Sequence, residues 1–427
     1  MHVKTTAPLA RRLSVFDATV IGLGSMIGAG VFAAFAPAAL AAGSGLLIGL
    51  GIAALVAWLN ASASAQLAAV YPVAGGTYVY GRERLGPWWG FFAGWSFVVG
   101  KTASCAAMAL ICAAYVAPAG SERLVAVLAV VIVTTVNLRG ITRTASATKL
   151  IVVFVVAVLV GVIALVLISG DTSTSPSAVQ TASGAPQAYG VLQSAGILFF
   201  AFAGYARIAT LGEEVRDPQR AIPRAIMGAL TIAAVLYAAV GATLLTVLGP
   251  DKLATSRAPI SDLLSVTGWG DASALVAITA ALASLGALLA LMAGIGRTTL
   301  AMARTRDLPR WLDAVHPTFS VPHRAELVVA ALVIVIVLIA DVRGAIAFSS
   351  FGVLLYYFVA NVAAYTQPAS QRRVPRAVNI LGAIACLLLV ATVPFIGIAV
   401  GVVVLAVGIP VRLLSNRQSR PVFTHGT

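Results

Sequence analysis

The sequence predicts an all-α polytopic membrane protein with twelve transmembrane helices. Of its 427 residues, 60% are hydrophobic and only 10% charged, and the mean hydropathy of +0.99 lies far outside the range of soluble domains. Twelve apolar stretches follow one another, each near the ~20 residues that a helix needs to cross the hydrocarbon. The basic residues sort themselves into alternate connections between those stretches, as the positive-inside rule requires.

In chain order the expected spans are residues 15–42, 44–70, 88–117, 123–138, 148–169, 190–212, 225–248, 272–303, 324–341, 344–366, 377–393 and 394–413. With the N-terminus in the cytoplasm, that side receives 21 of the basic residues, among them Arg82, Arg139, Arg216, Arg304, Arg372 and Arg412. The other side receives four: Arg123, Lys252, Arg257 and Arg343. Both termini are therefore expected in the cytoplasm, in a multi-pass protein of the cell membrane. In a soluble chain a formal charge of +14 would point to nucleic acid; here topology accounts for it, and the expected surroundings are a lipid bilayer. Cys105, Cys112 and Cys386 lie in apolar runs and the four histidines lie in connections or tails, so neither a disulfide framework nor a metal site is expected. The apolar run near the N-terminus is too long for a cleavable signal peptide.

The first span contains Gly22, Gly24, Gly28 and Gly30 within nine residues. Each glycine costs roughly 1 kcal/mol against alanine inside a helix. Two readings follow. Either the helix is broken there and turns its backbone toward something polar, or the glycines let other helices approach closely. The sixth span carries Leu198-Phe199-Phe200-Ala201-Phe202-Ala203-Gly204-Tyr205-Ala206-Arg207, which does not describe a lipid-facing helix. Spans one and six stand five helices apart. If spans 1–5 and 6–10 are repeats, the odd offset inverts one against the other, and each repeat then opens on a discontinuous helix whose broken ends face a substrate near the midplane. The organisation this gives is a tail at 1–14, a first repeat at 15–169, an external loop at 170–189, a second repeat at 190–366, two C-terminal helices within 377–413 and a tail at 414–427.

Three basic residues remain away from the connections: Lys101, Arg207 and Arg297. All fourteen acids lie outside the span centres. Mid-membrane ionisable chemistry is thus cationic.

Four ordered motifs carry a resemblance. Gly24-Ser25-Met26-Ile27-Gly28-Ala29-Gly30-Val31-Phe32 resembles the first-helix motif of the amino acid/polyamine/organocation permeases. Pro72-Val73-Ala74-Gly75-Gly76-Thr77-Tyr78 is similar to that superfamily's turn after span two, and Glu213-Glu214-Val215-Arg216-Asp217-Pro218-Gln219-Arg220-Ala221-Ile222-Pro223 to its signature after span six. Arg297, Ala303-Arg304, Asp307-Leu308-Pro309 and Pro322 resemble its pattern after span eight. The resemblance implies a leucine-transporter-type fold with discontinuous helices 1 and 6, and transport of amino acids or related amines. It further implies that Ser25, Met26, Ile27, Gly28, Ala29 and Gly30 meet the substrate carboxylate through N–H groups, while Phe200, Ala201, Phe202, Ala203 and Gly204 receive its ammonium on carbonyls. Phe200 falls where such permeases place an aromatic lid, with ordinary packing as its alternative; Phe202 reads as core.

Lys101 stands about thirteen residues into span three, too deep to snorkel easily, and intramembrane lysines are rare outside functional sites. It either loads and unloads a proton within the cycle, stays charged to meet an anionic group, or bonds to carbonyls of the broken helices in place of a cation. Some proton-coupled relatives carry a lysine deep in span five; here Lys149 stands at the start of that span and is expected to snorkel. Leu288 to Ile295 of span eight offers no hydroxyl, which disfavours Na+ and leaves H+ as the expected coupling ion, with no cofactor. Arg207 is expected either at an inner gate, pairing with Glu213, Glu214 or Asp17, or at the interface. The in-membrane segments hold no catalytic cluster and no repeated filter, so neither an enzyme nor a channel is expected. What remains is secondary active transport of an amino acid, as proton symport or alternatively as exchange of amino acids or amines, or as polyamine/organocation transport. A fixed positive charge in the site suits neutral or acidic cargo better than cationic cargo.

Overall fold

The computed structural model describes residues 13–72, 75–140, 145–169, 187–209, 211 and 214–417, without the side chains of residues 29, 145–147 and 417. The N-terminal tail up to residue 12, most of the 170–189 loop, the C-terminal tail beyond 417, and Val73, Ala74 and Glu213 of the motifs lie outside the described residues. Among the described residues the regular structure is helical apart from one isolated bridge, Leu13 to Val215. A bilayer forces this outcome, because a helix is a way for a single segment to satisfy all its backbone groups internally.

The helices are α1 (Val15–Ala33), α2 (Phe35–Ala42), α3 (Leu46–Val70), α4 (Thr77–Leu85), α5 (Pro87–Val116), α6 (Glu122–Leu138), α7 (Ala145–Ser169), α8 (Ala188–Phe202), α9 (Ala206–Ala209), α10 (Pro218–Thr255), α11 (Pro259–Val266), α12 (Ser273–Arg304), α13 (His323–Ile339), α14 (Val342–Tyr365), α15 (Arg376–Thr392) and α16 (Phe395–Arg417). Helix occupies all twelve expected stretches. Nine stretches among the described residues are long and apolar enough to cross a membrane. Expected spans four, nine and eleven fall on α6, α13 and α15, of 17 residues each.

The first span differs from expectation. Its glycine run is helical throughout, and the interruption comes at Ala34, between α1 and α2. Proline is the physical reason. Pro37 has no N–H to offer the carbonyl of Ala33, four residues earlier, so the ladder stops there and α2 begins. At its other end α1 starts on a capping box, with Asp17 N donating to Ser14 Oγ (3.2 Å) and Ser14 N to Asp17 Oδ2 (2.9 Å). The sixth span is interrupted where the sequence places it: α8 ends at Phe202, a 3-10 turn covers Ala203–Tyr205, and α9 follows. The seventh span is longer than expected, because α10 starts at Pro218 and continues past Gly249, whose φ of 71° splits it before Pro250.

At the centre, α5 packs against α14 and α12. Gly100 and Gly352 let α5 and α14 touch, since a Cβ on Gly352 would lie 2.8 Å from Gly100 Cα, and Ser104 and Ser349 share a 2.6 Å hydrogen bond one turn away. Large apolar side chains such as Leu128, Ile132, Leu150, Ile168, Ile339 and Ile396 are exposed. A soluble surface would not carry them; a lipid-facing one does.

A buried carboxylate ties three peripheral segments together. Asp307, 1% exposed, lies after α12. Its Oδ2 accepts from Tyr78 Oη at 2.8 Å and faces Arg82 Nη1 at 3.1 Å, while Oδ1 faces Arg412 Nε at 2.8 Å. The Arg412 guanidinium also lies 4.1 Å from the centre of the Trp88 ring. Burial pushes the Tyr78 hydroxyl up to about 12, so it remains a donor across the physiological range. Removing one partner of such a buried network costs about 3–5 kcal/mol. Asp307→Ala should therefore lower the unfolding temperature in detergent by several degrees, whereas Arg304→Ala, at an exposed position nearby, should leave it unchanged.

Candidate functional site

The glycines of α1 are points of close approach. A Cβ on Gly22 would lie 2.1 Å from Ile208 Cδ1, one on Gly24 2.6 Å from Val152 Cγ2, one on Gly28 2.4 Å from Ala287 Cβ and one on Gly30 2.5 Å from Ala201 Cα. Reciprocally, a Cβ on Gly204 would lie 2.3 Å from the Ser25 carbonyl. The pairs 22 with 208, 25 with 204 and 30 with 201 run in opposite order, so α1 crosses the sixth span antiparallel, backbone against backbone. The close-packing reading of the glycine run is therefore correct, and the reading of an opened backbone at Ser25 to Gly30 is not. Ser25 Oγ donates within its own helix, to Ile21 O at 3.0 Å.

The sixth span is where backbone is available, and side chains claim it. Lys101 Nζ donates to Ala203 O at 3.1 Å and Tyr357 Oη donates to the same oxygen at 3.2 Å. Tyr237 Oη donates to Ala201 O at 3.1 Å. Lys101 is only 6% exposed, and among the described residues no carboxylate stands within ion-pair distance of it. Of its three earlier readings, the bond to a carbonyl of an interrupted helix is the arrangement present. Tyr205 stacks on Tyr357 (4.9 Å between ring centres) and Phe202 meets Tyr237 edge-on at 5.1 Å. Phe202 is thus core, as read, and Phe200 is buried as well.

A cavity of about 180 Å³ lies on the other side of this crossing, between α1, α7 and α12. Ser25, Ile27, Gly28 and Arg207 line it, together with Glu214, Arg297, Asn137 and Thr148. Met26, Gly30, Lys101, Phe200, Ala201, Phe202, Ala203 and Gly204 do not; the side chain of Ala29 is outside the described residues. The structure therefore divides the expected site, with the cation and the sixth-span carbonyls in one buried cluster and the first-span residues on a cavity wall. Near that wall Asp17 pairs with Lys149, linking α1 to α7. Asp17 is thus engaged by Lys149, whose side chain stays 35% exposed. Leu13 closes the same end, its N–H donating to Glu214 O at 3.0 Å and its carbonyl accepting from Arg216 N at 2.9 Å.

Asn137, Asn361 and Gln66 are readable in the sequence as able to hydrogen-bond between helices, and they do so: Asn137 Nδ2 donates to Leu289 O at 3.2 Å, Asn361 Nδ2 to Asn60 Oδ1 at 2.6 Å and Gln66 Nε2 to Ala364 O at 3.1 Å. Sequence reasoning passed over Tyr237 and Tyr357; the available signal was the placement of two phenols inside apolar runs, where polar tips require partners.

The amino acid permease family model matches residues 13–417. The chain belongs to this family. It is 55% identical to an uncharacterized transporter of Mycobacterium tuberculosis (strain ATCC 25618 / H37Rv) over 96% of this chain and 93% of that one. It is 30% identical to the chloroplastic cationic amino acid transporter 7 of Arabidopsis thaliana, over 83% of this chain and 65% of that one. A methylthioribose transporter of Bacillus subtilis (strain 168) is 30% identical over 74% of this chain and 72% of its own. The family is one of permeases, not enzymes, and nothing in the geometry above departs from a transporter.

In this permease the antiparallel crossing has no slack. Gly204→Val should abolish folded yield or uptake, measured by size-exclusion profile and transport, because the new side chain meets backbone that cannot move aside. Gly51→Ala, where nothing lies within 4 Å of a new Cβ, should be tolerated in both.

Proposed function

We propose that this permease is a secondary active transporter that takes an amino acid into the cell by alternating access, coupled to proton entry through Lys101. The topology in this reading is twelve spans, both termini cytoplasmic, with spans 1–5 and 6–10 as inverted repeats. The cavity walls carry residues from the cytoplasmic ends of spans, namely Leu13, Thr148, Glu214 and Arg297, which supports an inward-facing state.

The observation that carries the coupling is the buried Lys101 ammonium on the carbonyl of Ala203, at the interruption of the sixth span. A charge-assisted hydrogen bond is roughly twice as strong as a neutral one. Protonated Lys101 therefore favours the turn at Ala203–Tyr205, and its loss of a proton weakens that preference. By reciprocity, the conformation that keeps the bond binds the proton more tightly, so proton binding and the shape of the interruption drive one another. No sodium ligand set is required. Arg207 and Arg297 on the cavity wall, opposed by Glu214 alone among its charged residues, give the cytoplasmic side of the cargo path a positive field that suits neutral or acidic amino acids.

The test is uptake by proteoliposomes of labelled neutral, acidic and basic amino acids, with and without an inward proton gradient. Wild-type protein should accumulate neutral or acidic cargo only under the gradient. Lys101→Met should lose that accumulation and keep counterflow. Equal loss of both activities would assign Lys101 a structural role, and wild-type uptake that required preloaded cargo would replace symport by exchange.

A further inference from the structure

A buried polar seam leads away from Lys101, and the cavity does not use it. Beyond the shared carbonyl of Ala203 stands Tyr357, and one turn further along α14 Asn361 Nδ2 donates to Tyr357 O at 2.9 Å. The same nitrogen reaches Asn60 Oδ1 on α3 at 2.6 Å, and Cys386 Sγ on α15 donates to that oxygen at 3.2 Å. Further along α3, Gln66 Nε2 donates to Ala364 O at 3.1 Å, and its Oε1 accepts from Arg373 N at 3.0 Å in the exposed loop before α15. The polar groups thus run from the middle of the bundle to a solvent-facing loop, between α3, α14 and α15.

The seam holds more polar atoms than it pairs. Among the described residues, Asn60 Nδ2, Asn361 Oδ1 and both amide atoms of Asn379 and of Gln367 are buried and make no hydrogen bond. Asn60, Asn361, Asn379 and Gln367 are each 0% exposed. Asn379 and Cys386 share the buried face of α15 with Gly382, where a Cβ would lie 2.3 Å from Asn361 Oδ1. Unpaired amides gathered along one line in an apolar bundle are the setting in which buried water is held, each molecule bridging about three such groups.

We propose that this seam is hydrated and carries protons between Lys101 and the loop at Arg373, on a route separate from the cargo cavity. None of its residues lines that cavity. One proton leaves the Lys101 ammonium for a seam water while the amine keeps the electron pair, and one proton leaves the outermost water for the solvent beside Arg373, a net transfer of one H+. Among the described residues the titratable groups facing the path are Cys105 on the helix of Lys101, Tyr205 on the sixth span, Tyr356 and Tyr357 on α14 and Cys386 on α15, and none is a carboxylate. In the proposed topology the loop is cytoplasmic, so the seam is the proton's exit. The inference rests on the proton-coupled reading above.

Asn379→Leu is the informative variant, because among the described residues the Asn379 side chain makes no hydrogen bond that its loss would break. Gradient-driven uptake should fall severalfold, with counterflow unchanged, and Asn379→Ser should recover most of the rate. Synchrotron radiolysis with mass spectrometry, which labels side chains beside bound water, supplies an activity-free readout on the wild-type protein. Cys386 should be oxidised well above Cys112, which is also buried, and slightly less so, but lies in an apolar stretch. Wild-type rates in Asn379→Leu, or equal inertness of the two cysteines, would overturn the seam while leaving coupling through Lys101 standing. Absence of gradient-driven uptake in the wild type would instead overturn the coupled reading itself.

Discussion

The carbonyl of Ala203 is the group on which this molecule depends. A helix that stops in the middle of a membrane leaves acceptors without partners in the helix, and an unpaired backbone group there costs several kcal/mol. The sixth span stops at Phe202, and Lys101 and Tyr357 both donate to the exposed oxygen. The need runs both ways. A lysine is expensive in hydrocarbon, so it must find acceptors, and an interrupted helix offers them without any carboxylate. Cation and interruption stabilise one another, which makes the charge on Lys101 and the shape of the sixth span a single variable.

Around that pair the first span acts as a rigid partner. Its glycines remove side chains where Ile208, Ala201, Ala287 and Val152 press against the helix, so α1 can lie against the sixth span and α12 at backbone distance. The helical ladder is interrupted at two places beside this contact, Ala34 and the 3-10 turn at Ala203–Tyr205. In the proposed reading, the cavity on one face of the crossing and the polar seam on another give cargo and proton separate approaches to it.

Much of this was legible in the sequence, and the remainder failed for identifiable reasons. Hydropathy placed a helix in every expected stretch because the bilayer leaves a chain little choice. The sixth-span interruption was readable from aromatics crowded beside Ala203-Gly204, and Lys101 from its depth. The first-span interruption was misplaced because glycine has two uses in membranes, and only the neighbours in space decide between them; Pro37, four residues beyond Ala33, carried the real signal. The Asp17–Lys149 pair and the roles of Tyr237 and Tyr357 depend on contacts between helices distant in sequence, which no local pattern encodes.

The most direct measurement of the central claim is the reversal potential of cargo flux in proteoliposomes, with membrane potential and pH gradient set independently. If Lys101 is the only carrier, one proton moves with each molecule of a neutral amino acid, and the reversal point shifts with both gradients accordingly. A reversal point that ignores the pH gradient would contradict the account, leaving Lys101 as a fixed brace for the carbonyl of Ala203.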